Sequence, residues 1–279
     1  MKKKKIQIFV IASVIFVTLF AVIAVPATFY TEAVSTAGFN ISLTLTNVAP
    51  TITYVAPVSD SPNAGTTKTI TFTFNASDLN GVGDIPFDNA LVIINNSAVT
   101  HTSSSCIVNE TSGTTNRFDC YVDVDYDDAA GAWTINASVF DGASAMATDL
   151  SEELTLGTTY SISLNRTSLT FSGSAGDNNV APSNAPQSVL NKGNGAFTNM
   201  NITAFDLVGG TSSIAASQFN ANITDTPAGT AMDNNTPVAI AGGTLGVSGS
   251  RDVFIYLDIP EGVADTTYTS SDEWIVSMS

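Results

Sequence analysis

Apolar side chains fall on alternate positions along much of the chain. Phe39, Ile41, Leu43 and Leu45 alternate with Asn40, Ser42, Thr44 and Thr46, the period-2 pattern of a strand with one buried face. The pattern returns at residues 69–74 and at 132–140, where Trp133, Ile135, Ala137 and Val139 share a face. Residues 51–55 begin another strand, and 90–94 form a more fully apolar one. Residues 106–108 pair with 118–124 across a turn at 110–116. Further strands are predicted at 160–164, 169–172, 187–190, 200–205, 219–223, 251–259 and 273–278, with a short turn within 183–191. Past residue 27 no stretch sustains the 3.6-residue period of a helix over three turns.

The stretch from Ile6 to Val25 breaks this rule, since only Gln7, Ser13 and Thr18 interrupt its apolar run. As a helix its 20 residues reach about 30 Å, the thickness of a bilayer's hydrocarbon core. Lys2, Lys3, Lys4 and Lys5 precede it and fix the cytoplasmic end at Met1, so everything from Pro26 onward is expected outside. Val25, Pro26 and Ala27 offer a small-residue cleavage site beside an awkward proline, which leaves cleaved signal and retained anchor both open. The expected organisation is a targeting or anchor helix at 1–27, a first β-sandwich with its leading segment at 28–157, and a second at 158–279, with residues 151–159 as the junction. The fold class is all-β, two immunoglobulin-like sandwiches in tandem.

Charge sharpens the picture. The net charge is −16, yet four of the nine basic residues lie in the lysine run and all 25 acidic ones follow the apolar stretch. A surface of that sign repels nucleic acid and anionic lipid, which need clustered Lys or Arg to displace their counterions. Nucleic acid is therefore excluded as a partner.

The stretch DDAAGAWTINASVFD at 127–141, preceded by VAPTI at 48–52 and ASDLNG at 76–81, resembles immunoglobulin-like modules of archaeal surface proteins. The second half, through LNKGN at 190–194 and DVFIYLDIP at 252–260, looks like domains of exported archaeal proteins. Together these cover about half the chain; they imply a sandwich fold, a cell-surface location and possible association with a surface layer. The spacing of Cys106 and Cys120 departs from the long inter-sheet disulfide of antibody domains.

In an exported chain Cys106 and Cys120 read as one disulfide, closing a loop worth roughly 3 kcal/mol in the chain-entropy model. The bland alternative is two buried thiols. A metal pair is disfavoured because only His101 could add a third ligand. His101 itself stands among Ser and Thr with no nucleophile beside it, the setting of a satisfied surface histidine and not of a catalytic base. Gly81-Val-Gly83 and Gly193-Asn-Gly195 lack the helix a phosphate site needs and read as turns. Asp78, Asn80 and Asp84 place oxygen side chains around glycines, as loops that wrap calcium do. Calcium is the one cofactor such a pattern would take, and capped turns are its structural alternative. Asp123, Asp125, Asp127 and Asp128 form a second acidic strip that could share an edge or interdomain site with Asp141, the alternative being a solvated strand face. Asn-x-Ser/Thr sequons stand at Asn40, Asn75, Asn95, Asn109, Asn136, Asn165, Asn201, Asn222 and Asn234, with Asn136 opposite the Trp133 face.

No catalytic constellation emerges. The expectation is a non-enzymatic structural or adhesive glycoprotein of the cell surface. Its partners would be envelope or surface-layer proteins, further copies of itself, or surface glycans, with the membrane reached through an uncleaved helix. A pilin-like filament subunit would be cut within the lysine run. A carbohydrate-binding accessory module would need exposed aromatics, whereas Trp133 and Trp274 sit in alternating strands and read as core.

Overall fold

The computed structural model describes residues 38–279; the targeting segment expected at 1–27 lies outside them. Among the described residues no helix is long and apolar enough to cross a membrane, and the fold is all-β.

Ten strands carry the first part of the described chain. They are β1 (Thr51–Val55), β2 (Val58–Asp60), β3 (Lys68–Ser77), β4 (Ala90–Asn95), β5 (Thr100–Thr102), β6 (Ser105–Ser112), β7 (Thr115–Val124), β8 (Gly131–Phe140), β9 (Met146–Asp149) and β10 (Glu153–Leu156). One sheet runs β1-β3-β7-β6 and the other β2-β10-β8-β4-β5, with β9 also on β8. All pairs are antiparallel except β10 with β2. Alternation decides which side chains face inward. Ile70, Phe72, Phe74 and Ala76 of β3 join Phe118, Cys120, Val122 and Val124 of β7. They meet Val92 and Ile94 of β4 and the Trp133, Ile135, Ala137 and Val139 face of β8 in one core. Phe74 and Phe118 stack with centroids 5.2 Å apart. Full burial of each such aromatic is worth about 2–3 kcal/mol.

Cys106 and Cys120 are directly opposed in the β6–β7 ladder and form a disulfide. The expected turn at 110–116 is tighter than the pattern suggested, because both strands run on until only Gly113 and Thr114 separate them.

The second part holds β11 (Ile162–Leu164), β12 (Gln187–Asn191), β13 (Met200–Thr203), β14 (Leu207–Gly209), β15 (Ser212–Ile214), β16 (Phe219–Asn222), β17 (Thr230–Ala231), β18 (Val238–Ile240), β19 (Ser250–Leu257), β20 (Thr269–Ser270) and β21 (Ile275–Met278). They form a five-stranded sheet, β11-β12-β19-β16-β17, and two three-stranded ones, β18-β13-β21 and β15-β14-β20. A separate core gathers Val189, Met200, Ile202, Phe219, Val253 and Ile255. Trp274 packs against it edge-on to Phe219 and donates from its indole N–H to the Phe205 carbonyl at 3.0 Å.

Three expectations change. Residues 39–46 are not a strand, and Phe39, Ile41, Leu43 and Leu45 are 76 to 84% exposed. Residues 169–172 are irregular; Leu169 and Phe171 still pack on the second core, while Thr170 is held by Asn184 and Ser183. The junction narrows, since β10 inside the expected 151–159 linker pairs with β8 and β2.

The two cores meet through a polar joint. Gly65 donates to the Lys192 carbonyl at 2.7 Å, and the Thr159 hydroxyl to that of Pro62 at 2.9 Å. Asn194, only 7% exposed, donates to the carbonyls of Asp128 and Gly157 and accepts from the Thr159 N–H at 2.6 Å. A Cβ at Gly193 would collide with the Thr159 carbonyl, so the close approach there requires glycine.

Candidate metal centre

Asp78 directly follows β3, and its backbone starts a tight loop. Gly81 donates to the Asp78 carbonyl at 3.1 Å, and residues 82–84 close a single 3-10 turn that presents Asp84. Asp141 directly follows β8. Its Oδ1 accepts from the N–H groups of Ala143 (2.9 Å) and Ala145 (2.7 Å), an Asx-type turn that aims the carboxylate back at the 78–84 loop. The two loops are stitched where Gly142 donates to the Asp84 carbonyl at 2.7 Å. A Cβ on Gly142 would lie 3.2 Å from Asp84 Oδ1, so the two loops approach closely there.

These turns bring oxygens of Asp78, Asp84 and Asp141 within 4.8 Å of one another. Asp78 is 2% exposed and Asp141 1%. Asp141 is well provided for. The Asn47 amide donates to its Oδ2 at 2.7 Å, and that bond with the two backbone donors outweighs burial and holds its carboxyl below the usual carboxylate range. Asp78 is not. Its Oδ1 accepts from the Asn80 N–H at 2.7 Å, but its Oδ2 is buried without any donor. Among the described residues no Lys, Arg or His pairs with any of the three. Three carboxylates converging in low dielectric repel one another, and a hard cation is what such an oxygen set holds.

Of the residues expected to bind calcium, Asp78 and Asp84 converge. Asn80 stands beside them, its Oδ1 accepting from the Val48 N–H at 2.8 Å. The predicted partnership of Asp141 with the second acidic strip is not what the fold builds. β8 separates Asp127 and Asp128 from Asp141 by its whole length, so they lie at opposite ends of the sandwich. Asp127 instead accepts from the Ser248 hydroxyl of the second core's side, and Asp128 is buried, taking the Asp125 N–H at 2.7 Å. Asp123 and Asp125 accept from the hydroxyls of Thr69 and Thr67 along the outer face. Asp141 and Asn47 were missed as parts of the 78–84 site. The signal available was the Asp141-Gly142 pair ending a strand, a turn motif that says nothing about what it faces.

His101 is partly buried and not a surface residue. It stacks on Trp133 at 5.6 Å, and its Nε2 lies 2.8 Å from Asp128 Oδ2, at ion-pair distance but outside hydrogen-bond geometry. Among the sequons, Asn40, Asn109, Asn165 and Asn234 are exposed, while Asn75, Asn95, Asn136, Asn201 and Asn222 are half-buried. Asn136 does lie opposite Trp133, but its Oδ1 is buried; the Asn222 amide is tied to Thr226 and the Ala228 carbonyl.

No family model matches the sequence, and no curated protein matches it. Among solved structures the chain is similar at 12% identity to a putative membrane anchored protein from Corynebacterium diphtheriae, with a TM-score of 0.20 over 83% of this chain and 54% of that one. It therefore spans about half of that protein's length. A second is the C-terminal domain of the Streptococcus agalactiae AgI/II polypeptide BspA, at 11% identity and a TM-score of 0.19, covering 82% of this chain and 100% of that domain.

Proposed function

We propose that the chain is a non-catalytic module of the cell surface, exported across the cytoplasmic membrane and built from two tandem sandwiches that divide after residue 157. The observation that carries this reading is the four-lysine tip before a 20-residue apolar run, with every acidic residue beyond it. The Cys106–Cys120 disulfide supports an oxidising compartment. The strand order β1-β3-β7-β6 against β2-β10-β8-β4 supports an immunoglobulin-type first sandwich, whose two sheets run ABED and GFC. Partners on this reading are other envelope components, surface glycans or further copies of the chain, and the exposed sequons carry glycan.

Protease treatment of intact cells tests it. Peptides from residues 46–279 should be released while cytosolic markers stay protected, and the mature N-terminus should lie near Ala27 or at Met1. Recovery from cytosol with both thiols reduced would refute export, and a cut inside the lysine run would favour a filament subunit.

A further inference from the structure

We propose that Asp78, Asp84 and Asp141 bind one Ca²⁺, and that the ion locks the segment leading into β1, residues 46–50, onto this end of the first sandwich. Their mutual spacing of up to 4.8 Å fits a shared ion, since ligands each about 2.3–2.6 Å from calcium lie no more than about 5 Å apart. The second observation is the Asp78 Oδ2, buried and without a donor. An ionised carboxylate in that position lacks a stabilising partner, and the ion supplies it. The donors are all carboxylate oxygens, without the His or Cys that favour zinc or copper. They come from two irregular loops, which suits the flexible coordination of calcium better than the strict octahedron of magnesium.

The coupling to residues 46–50 follows from shared atoms. Asn47 donates to the Asp141 Oδ2, and Val48 donates to Asn80, whose own N–H holds Asp78 Oδ1. Asn116 ties the same loop from below through the Val82 carbonyl at 3.4 Å. Without a cation the three like charges push the 78–84 and 141–145 loops apart and strain both anchors of the lead-in. With it the loops close and the anchors hold.

The full chain, purified in detergent and stripped with chelator, is titrated with Ca²⁺ and with Mg²⁺ by calorimetry. One Ca²⁺ should bind per chain, with a dissociation constant of about 0.1–1 mM and magnesium at least about tenfold weaker. Asp78→Asn and Asp84→Asn should each weaken Ca²⁺ at least about tenfold; Asp84 is only half-buried, so its variant is the one expected to fold normally. Hydrogen exchange at Val48 in the wild-type chain should slow by about fivefold or more when Ca²⁺ is added. The absence of binding at about 10 mM Ca²⁺, or binding unaffected in Asp84→Asn, overturns the site. Binding that leaves exchange at Val48 unchanged overturns the lock. Both readouts use purified protein, so they stand or fall separately from the cellular location.

Discussion

Asn194 shows how one side chain can set a joint. Its amide makes two donor bonds and one acceptor bond, all to backbone groups from the first core's side and the 157–159 connection. Asn194→Ala would strand the Thr159 N–H and two carbonyls, which costs about 2–3 kcal/mol by the penalty for buried unpaired groups; urea unfolding would measure it. A second prediction concerns Asp60. Burial raises its carboxyl, but the Lys68 ammonium at 2.5 Å and the Ser61 N–H outweigh that and hold it below the usual carboxylate range. A depressed folded value stabilises above the unfolded one and is lost as pH falls through the folded one. Lys68→Met should therefore flatten the loss of stability below about pH 4, by less than about 1 kcal/mol because the pair is half-exposed. Some of this was legible beforehand. Trp133 and its alternating neighbours were readable as core because period-2 burial is local. The tie of Asp141 to Asn47 spans 94 positions, and no local pattern encodes which loops two strands will bring together.

At the scale of elements, the long strands with one buried face announced themselves, while β10, with one buried face over only four residues, read as junction and several shorter strands went unseen. β3 and β7 alternate over all ten residues, and β8 and β19 over part of their ten and eight before both faces become buried. By contrast β14, β15, β17 and β20 span two or three, too few for any period to register. The failure at residues 39–46 is of another kind. Alternation records fitness for a pleated surface, but a strand also needs a neighbour's backbone to complete its ladder, and among the described residues β1 pairs only with β3. Four large apolar side chains consequently face solvent there. Chymotrypsin should cut first at Phe39, Leu43 or Leu45, with residues 51–156 resisting at least about tenfold longer, since cleavage requires local opening that the ladders oppose. Mass spectrometry of a short digest decides this; initial cuts within β3 or β7 would contradict it.

Across the whole molecule the first sandwich has two ends with different tasks. One gathers the acidic loops and the lead-in to β1; the other meets the second core through Gly65, Asp127, Asp128 and Gly157. Cores joined only by a polar interface ordinarily move and melt independently. Here only the few residues between β10 and β11 connect the two cores, and the contacts pair backbone groups with one another and with the Asn194, Thr159 and Ser248 side chains, with Lys192 also lying 5.5 Å over the Tyr126 ring. Losing one core would leave several of these groups unpaired at once, a penalty that binds the fates of both. Thr46–Ser279 should accordingly unfold in a single calorimetric transition, with van't Hoff and calorimetric enthalpies equal. Gly193→Ala, whose methyl collides with the Thr159 carbonyl, displaces the segment that bonds to Asn194 and Pro62 and so disrupts the joint without substituting a residue of either core. It should split the transition in two while each half keeps most of its enthalpy. A wild-type chain that already melts in two steps would show that the joint transmits too little free energy to couple the cores.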